Sequence, residues 1–115
     1  NIAIDFDGVV HTFDKGWHDG TCYGDPILGS LDAIKKLAKN FNIIIFTAKA
    51  KPSRPLVRGK TGTELVSEWL EKHGILNIVD EITSEKPRAQ LYIDDKGYHF
   101  KNWDDTLRHV KKVLK

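Results

Sequence analysis

Apolar residues recur along this chain in two periods, and the boundaries between them mark out the elements. Ile2–Phe6 is a short apolar run that ends among acids, and Ile43-Ile44-Ile45-Phe46 is apolar at every position, as a central parallel strand covered on both faces must be. Ile78–Ile82 and Leu91–Ile93 read as two further strands. Helical spacing takes over between them. Leu31, Ile34, Leu37, Ala38 and Phe41 predict one helix, with Asp25-Pro26 or Ser30 as its start signal. Leu65, Val66, Trp69 and Leu70 predict a second over Glu64–His73, stopped by Gly74. Leu107, Val110, Val113 and Leu114 predict a last one over Asp104–Leu114. Residues 8–24 are rich in glycine, aromatic and polar residues and read as a flap, and residues 49–62 as a loop. Alternating strands and helices predict an α/β domain with a mostly parallel sheet. One link strains the scheme: only Thr83–Gln90 separate the last two strands, whereas a parallel crossover usually takes a dozen or more residues.

The length of 115 residues suits one domain spanning 1–115, and 40% hydrophobic with 30% charged residues describes an ordinary globular chain. The net charge of +2 is too small to name a partner. The single cysteine, Cys22, excludes an intramolecular disulfide and a cysteine-based zinc cluster and reads as packing. No apolar run approaches the ~20 residues that cross a bilayer, and no signal-peptide pattern is present. A soluble, cytoplasmic protein with no membrane partner is the expectation.

The polar residues at the strand ends change the picture. Asp5 and Asp7 close the first strand, Thr47 follows the second, Lys86 the third, and Asp94-Asp95 end the fourth. In a parallel sheet all of these gather along the carboxyl edge, where ligands bind. Crowded carboxylates repel unless protonated or bridged by a cation. An oxygen-only donor set favours a hard ion, and Mg²⁺ is the expected cofactor. A hydroxyl and an ammonium beside that ion suit a phosphoryl group.

Asp5-Phe6-Asp7-Gly8-Val9-Val10, Thr47 after Ile43–Phe46, Lys86-Pro87 and Tyr92-Ile93-Asp94-Asp95 resemble the four motifs of the haloacid dehalogenase-like superfamily, in order. The resemblance runs from Asp5 to Asp95 and implies a three-layer Rossmann-like domain. It implies a phosphatase in which Asp5 attacks phosphorus to form an aspartyl-phosphate and Asp7 is the general acid and base. Thr47, backbone N–H groups at Ala48, and Lys86 would hold the phosphate. Asp5, the Asp7 carbonyl and Asp94 would hold magnesium, with Asp95 a ligand through water or an orienting group. An aspartate at position 7 matches the phosphoester-cleaving members and not the dehalogenases. Val9 stands where many members carry threonine. The stretches where the family inserts cap domains are short here, so the chain resembles a member with minimal or no cap, open to a phosphorylated small molecule or a nucleic-acid end.

Lys49, Lys51, Arg54, Arg58 and Lys60 lie in the loop after the second strand with no acid among them. The plain reading is a solvated loop. The functional one is a basic substrate rim of Lys49, Lys51, Arg54 and Arg58, joined by His11 from the flap, which leans mildly toward nucleotide-type substrates. His11, Trp17, His18 and Tyr23 otherwise form a small hydrophobic patch pinning the flap. Trp69 and Trp103 read as structural, and His73 as a helix-terminal positive charge. Three rivals stand beside this reading. A phosphotransferase of the same superfamily has the same residues, and a receiver-like phospho-acceptor domain has similar ones in a different order. A catalytically silent binding module on the same fold is disfavoured because every expected polar residue is present.

Overall fold

A computed structural model describes residues 1–12, 22–51, 53, 55–57, 59–85, 89, 91–94, 98–99 and 102–113, without the side chains of Leu91, Asp94, Tyr98, His99 and Val113. The elements are β1 (Ile2–Asp5), α1 (Ser30–Ala38), β2 (Ile43–Phe46), α2 (Gly62–Lys72), β3 (Glu81–Thr83), β4 (Leu91–Asp94), β5 (Tyr98–His99) and α3 (Trp103–Val113). The five strands form one sheet in the order β3-β2-β1-β4-β5, and every pairing is parallel. This is an α/β domain with the Rossmann strand order, not the 2-1-3-4-5 order of receiver domains. The order reverses between β1 and β4: the chain travels outward through β2 and β3 on one side of β1, and through β4 and β5 on the other.

Strand register decides which side chains meet. Ile2 and Ile4 lie beside Ile43 and Ile45, Ile4 beside Ile93, and Ile45 beside Ile82. All point to one face, where Ala33, Ile34 and Leu37 of α1, Val66, Trp69 and Leu70 of α2, and Val110 of α3 complete a single core. Ile2, Ile4, Ile43, Ile45 and Ile93 have no exposed surface; full burial of an isoleucine contributes ~1.5–3 kcal/mol. The helix layer that a three-layer arrangement puts on the opposite face is not found among the described residues. That face is nevertheless buried at its centre, at Ala3 and Ile44.

Several boundaries differ from the sequence expectation. Leu76–Ile78 forms a 3₁₀ turn, and β3 starts only at Glu81. Asp80 sets that start: its N–H donates to the Ile43 carbonyl and its carboxylate accepts from the Ile43 N–H, both at 2.8 Å, which aligns the chain beside β2. Ser30 opens α1 without a side-chain cap bond; Gly29, with φ of 83°, is the N-cap, and the buried Ser30 hydroxyl has no hydrogen-bond partner among the described residues. Gly74, with φ of 78°, ends α2 as expected. The two-residue strand β5 went unpredicted. The last helix begins at Trp103 and is capped by Asn102, whose side-chain oxygen accepts from the Asp105 N–H at 2.9 Å; Leu114 lies outside the described residues.

The short connection between β3 and β4 is explained by the strand order. Those strands are separated by β2 and β1, so the return spans ~14 Å across the sheet. Seven extended residues reach ~25 Å, long enough for that return; residues 86–88 and 90 lie outside the described residues. No helix among the described residues is long and apolar enough to cross a membrane.

Candidate active site at the carboxyl edge of β1

After Asp5 the chain turns sharply. The Phe6 carbonyl accepts from the N–H groups of Val10 and His11, both at 2.9 Å, and Gly8 takes a φ of 82° to allow it. The chain then pairs with the segment leading to α1: Thr12 N–H donates to the Asp25 carbonyl at 3.0 Å and Ile27 N–H to the Val10 carbonyl at 2.8 Å. Two tryptophans fasten this ribbon. Trp69 of α2 donates its indole N–H to the Gly24 carbonyl at 2.9 Å, and Trp103 of α3 donates to the Val9 carbonyl at 3.1 Å. The flap base is thus held by both helices, which is the structural role expected of the two tryptophans. The middle of the flap, with Trp17 and His18, lies outside the described residues.

Asp7 is the hub of the site. Lys49 Nζ lies 2.9 Å from each of its carboxylate oxygens, His11 Nδ1 is 3.0 Å from Oδ1, and the Thr47 hydroxyl is 3.4 Å from Oδ2. Burial alone would raise the Asp7 pKa. The hydrogen bonds from His11 and Lys49 and the ammonium charge outweigh it, and the pKa falls below the ordinary 3.8. Asp7 is ionised at neutral pH.

His11 and Lys49 do not lie on a solvated rim. His11 is wholly buried and Lys49 is 2% exposed. Lysine is rarely buried without a partner, and here the partner is the Asp7 carboxylate, 42 positions earlier. Lys49 reaches it because the chain after Thr47 closes into a 3₁₀ turn over Ala48–Ala50, in which Thr47 Oγ1 accepts from the Lys49 N–H at 3.2 Å. Gly62 at the start of α2 locks this turn: a Cβ there would sit 1.4 Å from the Lys49 carbonyl oxygen, so only glycine fits. Lys51 is exposed. Lys60, from the same basic loop, donates to Glu68 of α2 at 2.5 Å. Arg54 and Arg58 lie outside the described residues.

Asp5 is half-buried at the end of β1. Ile4 is in register with Ile93 of β4, so Asp5 and Asp94 are the next residues of adjacent parallel strands, ~5 Å apart along the backbone. Thr47 is 3% exposed and follows β2 on the other side of β1; Ala48 beside it is exposed. Lys86 and Asp95 lie outside the described residues. Among the described residues no three histidine, cysteine or acidic side chains are grouped to hold a metal; the side chain of Asp94 is not among them.

Two features were not foreseen from the sequence, the Lys49–Asp7 pair and the His11–Asp7 hydrogen bond. The second had a faint signal in the four-residue spacing of Asp7 and His11, but spacing has no meaning across a turn whose shape is unknown. His73 also departs from expectation. It sits at the end of α2 but packs on Trp69 with ring centres 4.4 Å apart, and burial, followed by the charge of Lys72, lowers its pKa from 6.5, which works against the positive charge expected at a helix end. A cavity of about 840 Å³ lies elsewhere, between the C-terminal half of α1 and α3, lined by residues such as Lys36, Phe41, Leu107 and Lys111. Its lining has no acid, and Phe41 puts it at the amino edge of the sheet, away from Asp5 and Asp7. Comparison of the chain with protein-family models, with curated proteins and with solved structures finds no match to any of them.

Proposed function

We propose that this chain is a magnesium-dependent phosphomonoester hydrolase of the haloacid dehalogenase-like kind, with Asp5 as nucleophile and Asp7 as general acid and base. The observation that carries the proposal is that the strand ends bearing the two acids are neighbours. Asp5 of β1 and Asp94 of β4 flank the point where the strand order reverses, the position at which parallel α/β sheets bind ligands. The Rossmann strand order disfavours the receiver-like alternative.

Oxygen donors on adjacent strand ends fit a hard divalent cation, which Asp5, the Asp7 carbonyl and Asp94 would hold, with Asp95 as a further group. Bound magnesium supplies positive charge that screens the phosphoryl oxygens from the Asp5 carboxylate. The Asp5 carboxylate oxygen bonds to phosphorus as the ester oxygen departs with a proton from Asp7. Asp7, then ionised, takes a proton from the water that attacks the aspartyl-phosphate, which releases inorganic phosphate and restores both carboxyl groups. The free site favours ionised Asp7, so its acid step needs a partner for Lys49 other than Asp7. A phosphate dianion beside Thr47, Ala48 and Lys86 would be that partner: drawing the Lys49 ammonium toward itself, it raises the Asp7 pKa.

Burial of Lys49 and His11 removes both from the basic rim, so the substrate class stays a phosphorylated small molecule or nucleic-acid end. The test is release of inorganic phosphate from an aryl phosphate with Mg²⁺. Asp5→Asn and Asp7→Asn should each lower turnover by at least ~100-fold with unchanged circular dichroism. Retained turnover in Asp5→Asn would remove it as nucleophile.

A further inference from the structure

His11 lies at the centre of a continuous chain of hydrogen bonds that ends on Asp7. The Trp69 indole N–H donates to the Gly24 carbonyl at 2.9 Å, the Gly24 N–H donates to His11 Nε2 at 2.9 Å, and His11 Nδ1 meets Asp7 Oδ1 at 3.0 Å. A backbone N–H aimed at Nε2 requires a lone pair there, so the ring proton is on Nδ1 and is donated to the carboxylate. The ring itself is fixed. It stacks on Phe6 at 4.9 Å with an interplanar angle of 7°, and Tyr23 and Trp69 meet it edge-on at 5.2 and 5.4 Å. Gly24 can approach this closely only because it lacks a side chain: a Cβ would lie 2.4 Å from the Thr12 carbonyl oxygen.

The other donors to Asp7 have different characters. Lys49 is a point charge on a flexible stem that spans both oxygens equally, and Thr47 sits at the longer distance of 3.4 Å. Lys49 therefore does not distinguish the two oxygens, and Thr47 approaches Oδ2 alone at a distance too long for a strong bond. The one short contact that tells them apart is that of His11 to Oδ1. We propose that His11 is a positioning residue that acts through Asp7: its Nδ1–H engages Oδ1, fixes the carboxylate plane and leaves Oδ2 as the oxygen that exchanges protons with the leaving group and with water. The inference rests on the phosphatase reading. It adds that an aromatic residue of α2 and a flap glycine hold the acid–base group in its working orientation.

Three substitutions separate the ring nitrogens. In His11→Asn the amide NH₂ stands near the place of Nδ1, in His11→Gln near that of Nε2, and His11→Phe keeps the stacking but donates nothing. With an aryl phosphate and Mg²⁺, His11→Gln and His11→Phe should lose ~10- to 100-fold in kcat at a KM within ~2-fold of the parent, while His11→Asn stays within ~3-fold. Nitrogen-15 spectra of the parent should show His11 protonated on Nδ1 and bare on Nε2. A protonated Nε2, parental kcat in His11→Gln, or an Asn variant no better than Gln would overturn the proposal. If His11→Phe does not fold, the Asn–Gln pair decides. A parent with no turnover sinks the phosphatase reading and this inference with it; an active parent whose Gln variant is unaffected sinks the inference alone.

Discussion

At the residue scale the site is governed by charges in unusual places. Asp7 keeps its charge because Lys49, His11 and Thr47 surround it, and Lys49 tolerates burial because Asp7 is there. Removing one partner of such a pair leaves the other uncompensated, which costs more than the pair itself contributes. The same surroundings quiet the nearby thiol. Burial pushes the Cys22 pKa up to about 12, with the Lys49 charge a smaller opposing influence. A thiol reacts as the thiolate, so at pH 8.5 Cys22 in the folded protein should be alkylated far more slowly than in denaturant, where its pKa is ~8.5. The folded rate should rise with pH beyond that point. Equal rates in the two states at pH 8.5 would show that Cys22 is not held this way. The sequence already read Cys22 as packing, but the Lys49–Asp7 pair was not legible in it. Lys49 stands among exposed-looking basic residues, and its partner follows the neighbouring strand β1, 42 positions earlier in the chain.

At the scale of elements the sequence was far more transparent. The β2 boundaries were readable because Ile43–Phe46 is apolar throughout, and α2 because Val66, Trp69 and Leu70 share one face. Misses fell where an element owes its place to a partner. Glu81 begins β3 because Asp80 bonds both backbone groups of Ile43, and the pair Tyr98–His99 is too short to carry a period. The start of α2 has a full capping box: Thr61 Oγ1 accepts from the Glu64 N–H at 3.1 Å, and the Glu64 carboxylate accepts from the Thr61 N–H at 3.0 Å. Because α2 carries both Gly62, against the Lys49 turn, and Trp69, on the flap, its first turn matters to the site. Thr61→Ala should lower stability by about 1 kcal/mol in urea denaturation. A change under ~0.3 kcal/mol would mean that α2 is held by its packed face alone.

At the scale of the whole molecule, one topological fact organises the rest. Strand order β3-β2-β1-β4-β5 brings the beginning of the chain beside Leu91–Asp94, residues nearly ninety positions away. That the ends of β1 and β4, at Asp5 and Asp94, lie on one edge was readable from motif order and from the rule that parallel strands end together. The coverage of the sheet was not, because nothing in the apolar pattern says which face a helix takes. Here α1, α2 and α3 all serve one core.

The central claim is that Asp5 is a phospho-acceptor served by a divalent ion, and it can be tested without knowing the substrate. Beryllofluoride with Mg²⁺ mimics a phosphoryl group on an aspartate, and its fluorines report directly by ¹⁹F NMR. The parent should give bound fluorine resonances that require Mg²⁺ and vanish in Asp5→Asn. Absence of bound resonances in the parent, or their persistence in Asp5→Asn, would contradict the account.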